Sequence, residues 1–141
     1  KMPTIKVEFQ VEVKAKAEEL WDILADVKSW PEQQVTSYIK PITIGPIKEG
    51  SAFVAEFGSL KWNLIVTKAK RPNRLSWTGQ RLGLKALHEW EFLEEGGKTK
   101  AVTRETVSGW LLFLLYPVAR RRLPGTNEKY LAKLKNLAET L

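Results

Sequence analysis

The pair of residues best suited to acid–base chemistry in this 141-residue chain is its single histidine, His88, together with Glu105. The dipeptide Gly96-Gly97 separates two segments of alternating polarity, which is typical of a two-residue hairpin turn. Counting outward from that turn places Trp90 opposite Thr103 and His88 opposite Glu105. A histidine that faces a carboxylate can act as a general base with an orienting partner.

The same two residues also fit roles without catalysis. His88 and Glu105 have neither a nucleophile nor a third catalytic group beside them, so we favour a structural hydrogen bond or contact with a ligand hydroxyl. A buried Glu105 needs His88, a tyrosine hydroxyl or a ligand donor as its partner. One histidine and no cysteine leave too few ligands for a transition metal. We therefore expect no metal and no cofactor.

Large apolar side chains share one face of the predicted strands, and part of this set must be ordinary core. A hairpin turn at Gly58-Ser59 brings Phe57 opposite Leu60 and continues that face along both strands. Binding cavities combine such walls with a few polar groups. The residues predicted to line one are Phe53, Phe57, Trp62, Leu64, Trp77, His88, Trp90, Thr103, Glu105, Gln33, Tyr38, Phe113 and Tyr130.

The elements that position these residues follow from hydrophobic periodicity. Residues 5–13 alternate as a half-buried strand, residues 17–25 have a helical period, and a second short helix is predicted at 27–30. About six further strands follow, and an amphipathic helix closes the chain, with a kink or break predicted at Pro124-Gly125. This order predicts one α+β domain over residues 1–141: a curved antiparallel sheet of about seven strands around a long C-terminal helix.

Composition narrows the function classes. The net charge is +7, but the basic residues are spread along the chain, so no nucleic-acid partner is predicted. The sequence has no pattern of a signal peptide at its start, and we expect a cytoplasmic protein. The apolar run 110–119 precedes Arg120–Arg122 and is too short to span a bilayer. We interpret it as a lid over the cavity, and docking on an anionic membrane is the alternative.

Short pieces spread over almost the whole chain resemble one known group of proteins. They are AEELWDILAD at 17–26, SWP at 29–31, PNRLSW at 72–77, His88 with Phe92, and GGKT at 96–99. In order and spacing they resemble the polyketide cyclase/dehydrase branch of the START/Bet v1-like superfamily (SRPBCC). The resemblance implies a helix-grip fold and a central cavity for lipids, sterols or polyketides. Members of that superfamily include enzymes, carriers and ligand sensors.

One departure from the pattern concerns the cavity. Trp30-Pro31-Glu32 is usually followed by a tryptophan in such proteins, and here Gln33-Gln34 follows. The change would enlarge the cavity mouth and add amide groups, through drift or through engineering. The opening Lys1-Met2 fits a residue added ahead of a native start.

Together these observations predict a non-catalytic binder of a hydrophobic small molecule, of a sterol or secosteroid type such as vitamin D or a steroid. The first alternative is a polyketide cyclase or aromatase that uses His88 and Glu105. The second is a lipid or quinone carrier that docks to membranes. Both a monomer and a homodimer remain open.

Overall fold

A computed structural model describes residues 3–31, 38–57 and 60–141. In this described part, seven strands form one antiparallel sheet in the order β1-β7-β6-β5-β4-β3-β2. The strands are β1 (Thr4–Val13), β2 (Tyr38–Pro41), β3 (Ala52–Phe57), β4 (Leu60–Lys70), β5 (Arg74–Arg81), β6 (Leu84–Glu95) and β7 (Lys98–Ser108). Helix α1 (Ala17–Ala25) and a 3-10 turn (Val27–Ser29) follow β1, and the long helix α2 (Leu112–Glu139) follows β7. The predicted helix-grip architecture is confirmed.

The β6–β7 hairpin has the register that its turn predicts. Gly96 and Gly97 both have positive φ angles, 62° and 81°, which a tight two-residue turn requires and glycine adopts without strain. His88 pairs with Glu105 and Trp90 pairs with Thr103 across the two strands. The pairing of Phe57 with Leu60 across β3 and β4 is also confirmed. The Gly58-Ser59 turn itself lies outside the described residues.

Helix α2 runs without interruption through Pro117, Pro124 and Gly125. Of the two alternatives predicted at Pro124-Gly125, a kink or a break, the break is therefore wrong. Proline removes one backbone donor and disfavours the helix interior, and the side chains just after Pro124 make additional hydrogen bonds to the helix backbone. The Thr126 hydroxyl donates to the carbonyl of Arg122 at 3.1 Å, and the Asn127 amide donates to that of Leu123 at 3.0 Å. Packing at both ends of α2 therefore outweighs the low helix propensity of its prolines and glycine.

Apolar side chains of helix α2 are buried in two separate clusters. At its start, Leu112 is buried in a small cluster whose other buried members are Ile5, Leu84, Ala86 and Val107. Toward its end, Leu131, Leu134 and Ala138 join the main core, which includes residues of α1 and of the concave face of the sheet. The helix segment between these contacts passes over the concave face of the sheet.

The two edges of the sheet have different protection. Strand β2 is only four residues long and ends at Pro41, which has no backbone donor. The opposite edge strand, β1, alternates buried or half-buried residues with exposed polar ones along its length. Near its end the ammonium of Lys135 donates to the carbonyl of Glu12 at 2.7 Å, and the backbone N–H of Lys14 donates to Glu139 at 2.8 Å.

Replacing Leu131 by alanine tests the packing between α2 and the sheet. Leu131 is 4% exposed, so Leu131→Ala should lower the free energy of unfolding by about 2–5 kcal/mol, as deletion of a buried leucine side chain does. Urea denaturation measures this loss. The matched variant Leu141→Ala, at a residue 79% exposed, should change it by less than about 0.5 kcal/mol. Equal losses in both variants would contradict this packing.

Candidate functional site

A hollow of about 930 Å³ lies between the concave face of the sheet and the first five turns of α2. Strands β3 to β7 form one wall, and α2 residues from Leu112 to Tyr130 form the other. The hollow opens to solvent beside Leu60, Arg122 and Lys129, because these three lining residues are also exposed. A volume in this range can accept a drug-sized molecule and bury most of its surface.

The structure brings most of the predicted site residues to this hollow. Seven of them line it: Phe57, Trp62, Leu64, Trp77, His88, Glu105 and Tyr130. Trp90 lines a small adjoining pocket that also touches Trp77 and His88. Phe53 and Thr103 are buried behind the wall.

Two predicted site residues lie elsewhere. Tyr38 is 41% exposed at the β2 edge, and Phe113 is 65% exposed on the outer side of α2. Neither lines the hollow. Gln33 and its neighbour Gln34 lie outside the described residues.

Several lining residues escaped the sequence analysis. On α2 they are Leu112, Leu115, Val118, Ala119, Arg122, Leu123, Thr126 and Lys129. The run 110–119 is apolar on all sides, so its periodicity carries no information about which residues face inward. Ala86 was identifiable, because it shares the alternating face of β6 with His88.

Gly79 in β5 lets two large side chains lie close to the strand. A Cβ atom at this position would lie 2.8 Å from Cδ2 of Leu64 and 3.2 Å from Cε3 of Trp62. Such contacts would push both side chains into the hollow. The absence of a side chain at Gly79 therefore helps to determine the shape of this wall.

His88 lies within an aromatic stack on the floor of the hollow. Its ring is 5.2 Å from Trp77 and 5.4 Å from Trp90, measured between centroids. Nε2 is 2.8 Å from the hydroxyl oxygen of Thr103. Burial lowers the pKa of His88, because removal from water disfavours the charged ring, and the nearby charges of Glu105 and Glu89 only partly oppose this. The imidazole is thus neutral near pH 7.

Glu105 is held by α2 rather than by His88. One carboxylate oxygen accepts a hydrogen bond of 2.8 Å from the amide of Asn127, which is fully buried. Burial and the charge of Glu105 together raise the pKa of Tyr130 to about 12, so its hydroxyl keeps its proton. The hollow therefore presents a carboxylate, a phenol and a neutral imidazole to whatever it contains.

This arrangement is weakly suited to acid–base catalysis. His88 and Glu105 face each other in register, but each is hydrogen-bonded to a different residue. In this structure the hydrogen-bond partner of His88 is therefore Thr103 and not Glu105. Within the described ranges, no three His, Asp or Glu side chains are close enough together to hold a metal ion.

A curved seven-stranded sheet that grips a helix above a hollow defines the class as a Bet v1-like helix-grip protein. Residues 4–139 match the model of the family described as "Polyketide cyclase / dehydrase and lipid transport". The chain belongs to this family.

Solved structures of low sequence identity share the fold. The hypothetical protein jhp0584 from Helicobacter pylori is 17% identical with a TM-score of 0.80, and the match covers 96% of this chain and 88% of that one. Norcoclaurine synthase from Thalictrum flavum, in complex with dopamine and hydroxybenzaldehyde, is 12% identical with a TM-score of 0.72, over 96% and 87%. The di-domain ARO/CYC protein BexL of the BE-7585A biosynthetic pathway is 17% identical with a TM-score of 0.75, over 97% and 49%.

None of the curated proteins matches the chain in sequence. Among the helices of the described ranges, none combines the length and the apolar character needed to cross a bilayer.

The environment of His88 predicts a specific pH dependence. Because its pKa in the folded chain lies below the unfolded value of about 6.5, the unfolded state binds more protons between the two pKa values. Stability should therefore decrease as the pH falls below about 6.5. NMR titration of the single imidazole measures the folded pKa directly.

The variant His88→Gln provides the control for this titration. Its free energy of unfolding should lose the part of the pH dependence that His88 causes. A folded-state pKa at or above 6.5 would contradict the burial of an uncharged ring.

Proposed function

We propose that the protein binds a hydrophobic small molecule in the hollow without catalysis, and that the ligand is sterol- or secosteroid-like with one or two hydroxyl groups. The observation that carries the proposal is a volume of about 930 Å³ whose walls are mostly apolar but include Glu105 and Tyr130. The family description, which includes lipid transport, fits a partner of this kind.

The apolar walls supply the affinity. Trp62 and Trp77 on the sheet face Leu115 and Ala119 on the helix, so a rigid hydrocarbon skeleton would contact both. Each buried methylene contributes about 0.8 kcal/mol before the costs of ordering are deducted.

The polar groups supply the orientation. Asn127 occupies one oxygen of the Glu105 carboxylate, and the other oxygen can accept a hydrogen bond from a ligand hydroxyl. The protonated Tyr130 hydroxyl can donate to the same group. A ligand that lacks a donor would leave the carboxylate desolvated without compensation, which is costly. These groups therefore favour a hydroxylated ligand over the corresponding hydrocarbon.

A cyclase or aromatase is the second candidate, because His88 and Glu105 lie in the wall of the hollow. The description of the family also includes polyketide cyclases. In that function His88 would transfer a proton and Glu105 would orient the imidazole ring of His88. His88→Gln separates the candidates: a large loss of turnover with retained binding supports an enzyme. A variant that binds as the parent chain does, with no turnover of poly-β-ketone substrates by either chain, supports the binder.

Filling the hollow should abolish binding. Ala86 lies in its wall, and Ala86→Phe should occupy the space of the ligand skeleton. Titration with hydroxysterols and secosteroids, followed by tryptophan fluorescence and by thermal shift, should show saturable binding for the parent chain and at least a tenfold loss for this variant.

The matched control for that titration is Leu93→Phe, which adds an aromatic ring to β6 at a residue 43% exposed. It should bind as the parent chain does. If no sterol, secosteroid or polyketide changes either signal, the proposal fails.

The hydroxyl preference can be tested separately with Glu105→Gln. Hydrogen bonds to charged groups contribute about 1.5–3 kcal/mol, so this variant should bind a hydroxysterol at least tenfold more weakly. Its affinity for the matching deoxy compound should change far less. Equal losses for both compounds, measured by fluorescence titration, would show that Glu105 does not recognise the hydroxyl.

A further inference from the structure

Exposed apolar side chains cluster where the turn between β5 and β6 meets the start of α2. Leu82 and Leu114 are 79% and 76% exposed, and Trp110, Phe113 and Val118 are each at least half exposed. We refer to these five residues as the apolar cap. Scattered exposed hydrophobic residues are ordinary, but a contiguous group of this kind marks an interaction surface.

The two segments of the apolar cap are held together. The backbone N–H of Leu111 donates to the carbonyl of Gly83 at 3.0 Å. A Cβ at Gly83 would lie 3.0 Å from the Trp110 ring, which shows how closely the turn and the indole pack. The cap is therefore one surface formed by two neighbouring segments.

Basic side chains continue the same side of α2. Leu114, Val118 and Arg121 are separated by four and three residues, which places them along one stripe of a helix. Arg120 and Arg121 are exposed, and the ion pairs of the described residues involve other cations. An apolar surface beside unpaired arginines is complementary to a lipid bilayer with anionic headgroups, which is apolar inside and negatively charged at its surface.

The apolar cap also adjoins the mouth of the hollow. Leu115 and Val118 both line the hollow and are exposed to solvent. Arg122 and Lys129 add positive charge to the same side. A molecule that leaves a membrane beneath this surface would reach the hollow without crossing bulk water.

We propose that the protein docks on anionic phospholipid bilayers through the apolar cap, with Arg120 and Arg121 at the headgroups and the mouth of the hollow toward the lipid. A second copy of the chain suits this surface less well. A symmetric dimer through the same surface would bring two sets of arginines together, and like charges oppose such contacts.

Co-sedimentation with vesicles tests the proposal. The full chain should bind vesicles of phosphatidylcholine with 30% phosphatidylserine in low salt, and bind pure phosphatidylcholine vesicles much more weakly. Raising the ionic strength should release it, because salt screens these charges. Absence of binding to both kinds of vesicle at low salt would overturn the proposal.

Two variants locate the contact. Arg120→Glu with Arg121→Glu should weaken binding at least tenfold, since one basic residue near such a surface accounts for about a fivefold change. Leu82→Ser with Leu114→Ser should weaken it by a similar factor. None of these four residues lines the hollow, so ligand titration should stay as in the parent chain, which separates this proposal from the proposed function.

Matched controls place the same changes on the outer face of the sheet. Lys6→Glu with Lys100→Glu reverses two exposed charges, and Ile65→Ser with Leu93→Ser removes two exposed apolar side chains. Both should bind vesicles nearly as well as the parent chain, apart from the general effect of net charge. Equal losses in the control and test variants would overturn the proposal.

Trp110 gives a direct readout of contact, because it is 51% exposed. Vesicles with brominated acyl chains should quench the emission of Trp110. The variant Trp110→Phe should still bind these vesicles, but most of the quenching should be lost. The alternative outcome is a dimer in sedimentation velocity, which the variant Leu82→Ser with Leu114→Ser dissociates, together with no binding to vesicles. In that case the apolar cap is a contact between copies of the chain and the proposal fails.

Discussion

The burial of apolar α2 side chains in two distant clusters is the constraint on which the rest of the structure depends. Leu112 is buried near the start of the helix and Leu131 near its end, and the segment between them spans about 28 Å at 1.5 Å per residue. The curved sheet lies below that span. Side chains from both sides do not fill the space, and the hollow results. A shorter helix, or one interrupted at Pro124, would allow the middle to collapse onto the sheet and remove the hollow.

Within the hollow, the polar groups act as a small set embedded in hydrocarbon. Asn127 holds one oxygen of Glu105, Tyr130 keeps its proton beside it, and His88 is neutral and bonded to Thr103. Buried polar groups whose partners come from the protein are fixed in position. Groups fixed in this way can form hydrogen bonds with a molecule in the hollow only at set positions.

The sequence was sufficient for the architecture, for the hairpin registers and for much of the sheet wall, but it did not predict that β1 lies beside β7. The register that brings His88 to Glu105 follows from a two-residue turn and strict alternation, both of which are local signals. Apart from Tyr130, the helix wall could not be predicted, because an apolar run such as 110–119 has no distinguishable inner side. The bond between Asn127 and Glu105 could not be predicted either, since that contact depends on how far α2 stands from β7. The continuity of α2 at Pro124 likewise depends on tertiary contacts that outweigh local propensity.

The two sheet edges have a consequence for association between copies of the chain. Exposed edge strands invite pairing with other strands, and native proteins limit this with short strands, proline and charged residues. Here β2 is four residues long and ends at Pro41, while β1 has exposed charges and a lysine from α2 bonded to the carbonyl of Glu12. Pairing of edge strands between copies of the chain is thus opposed at both edges of the sheet. A protein with an exposed apolar surface on its helix can then adhere to other partners through side chains without forming extended intermolecular sheets.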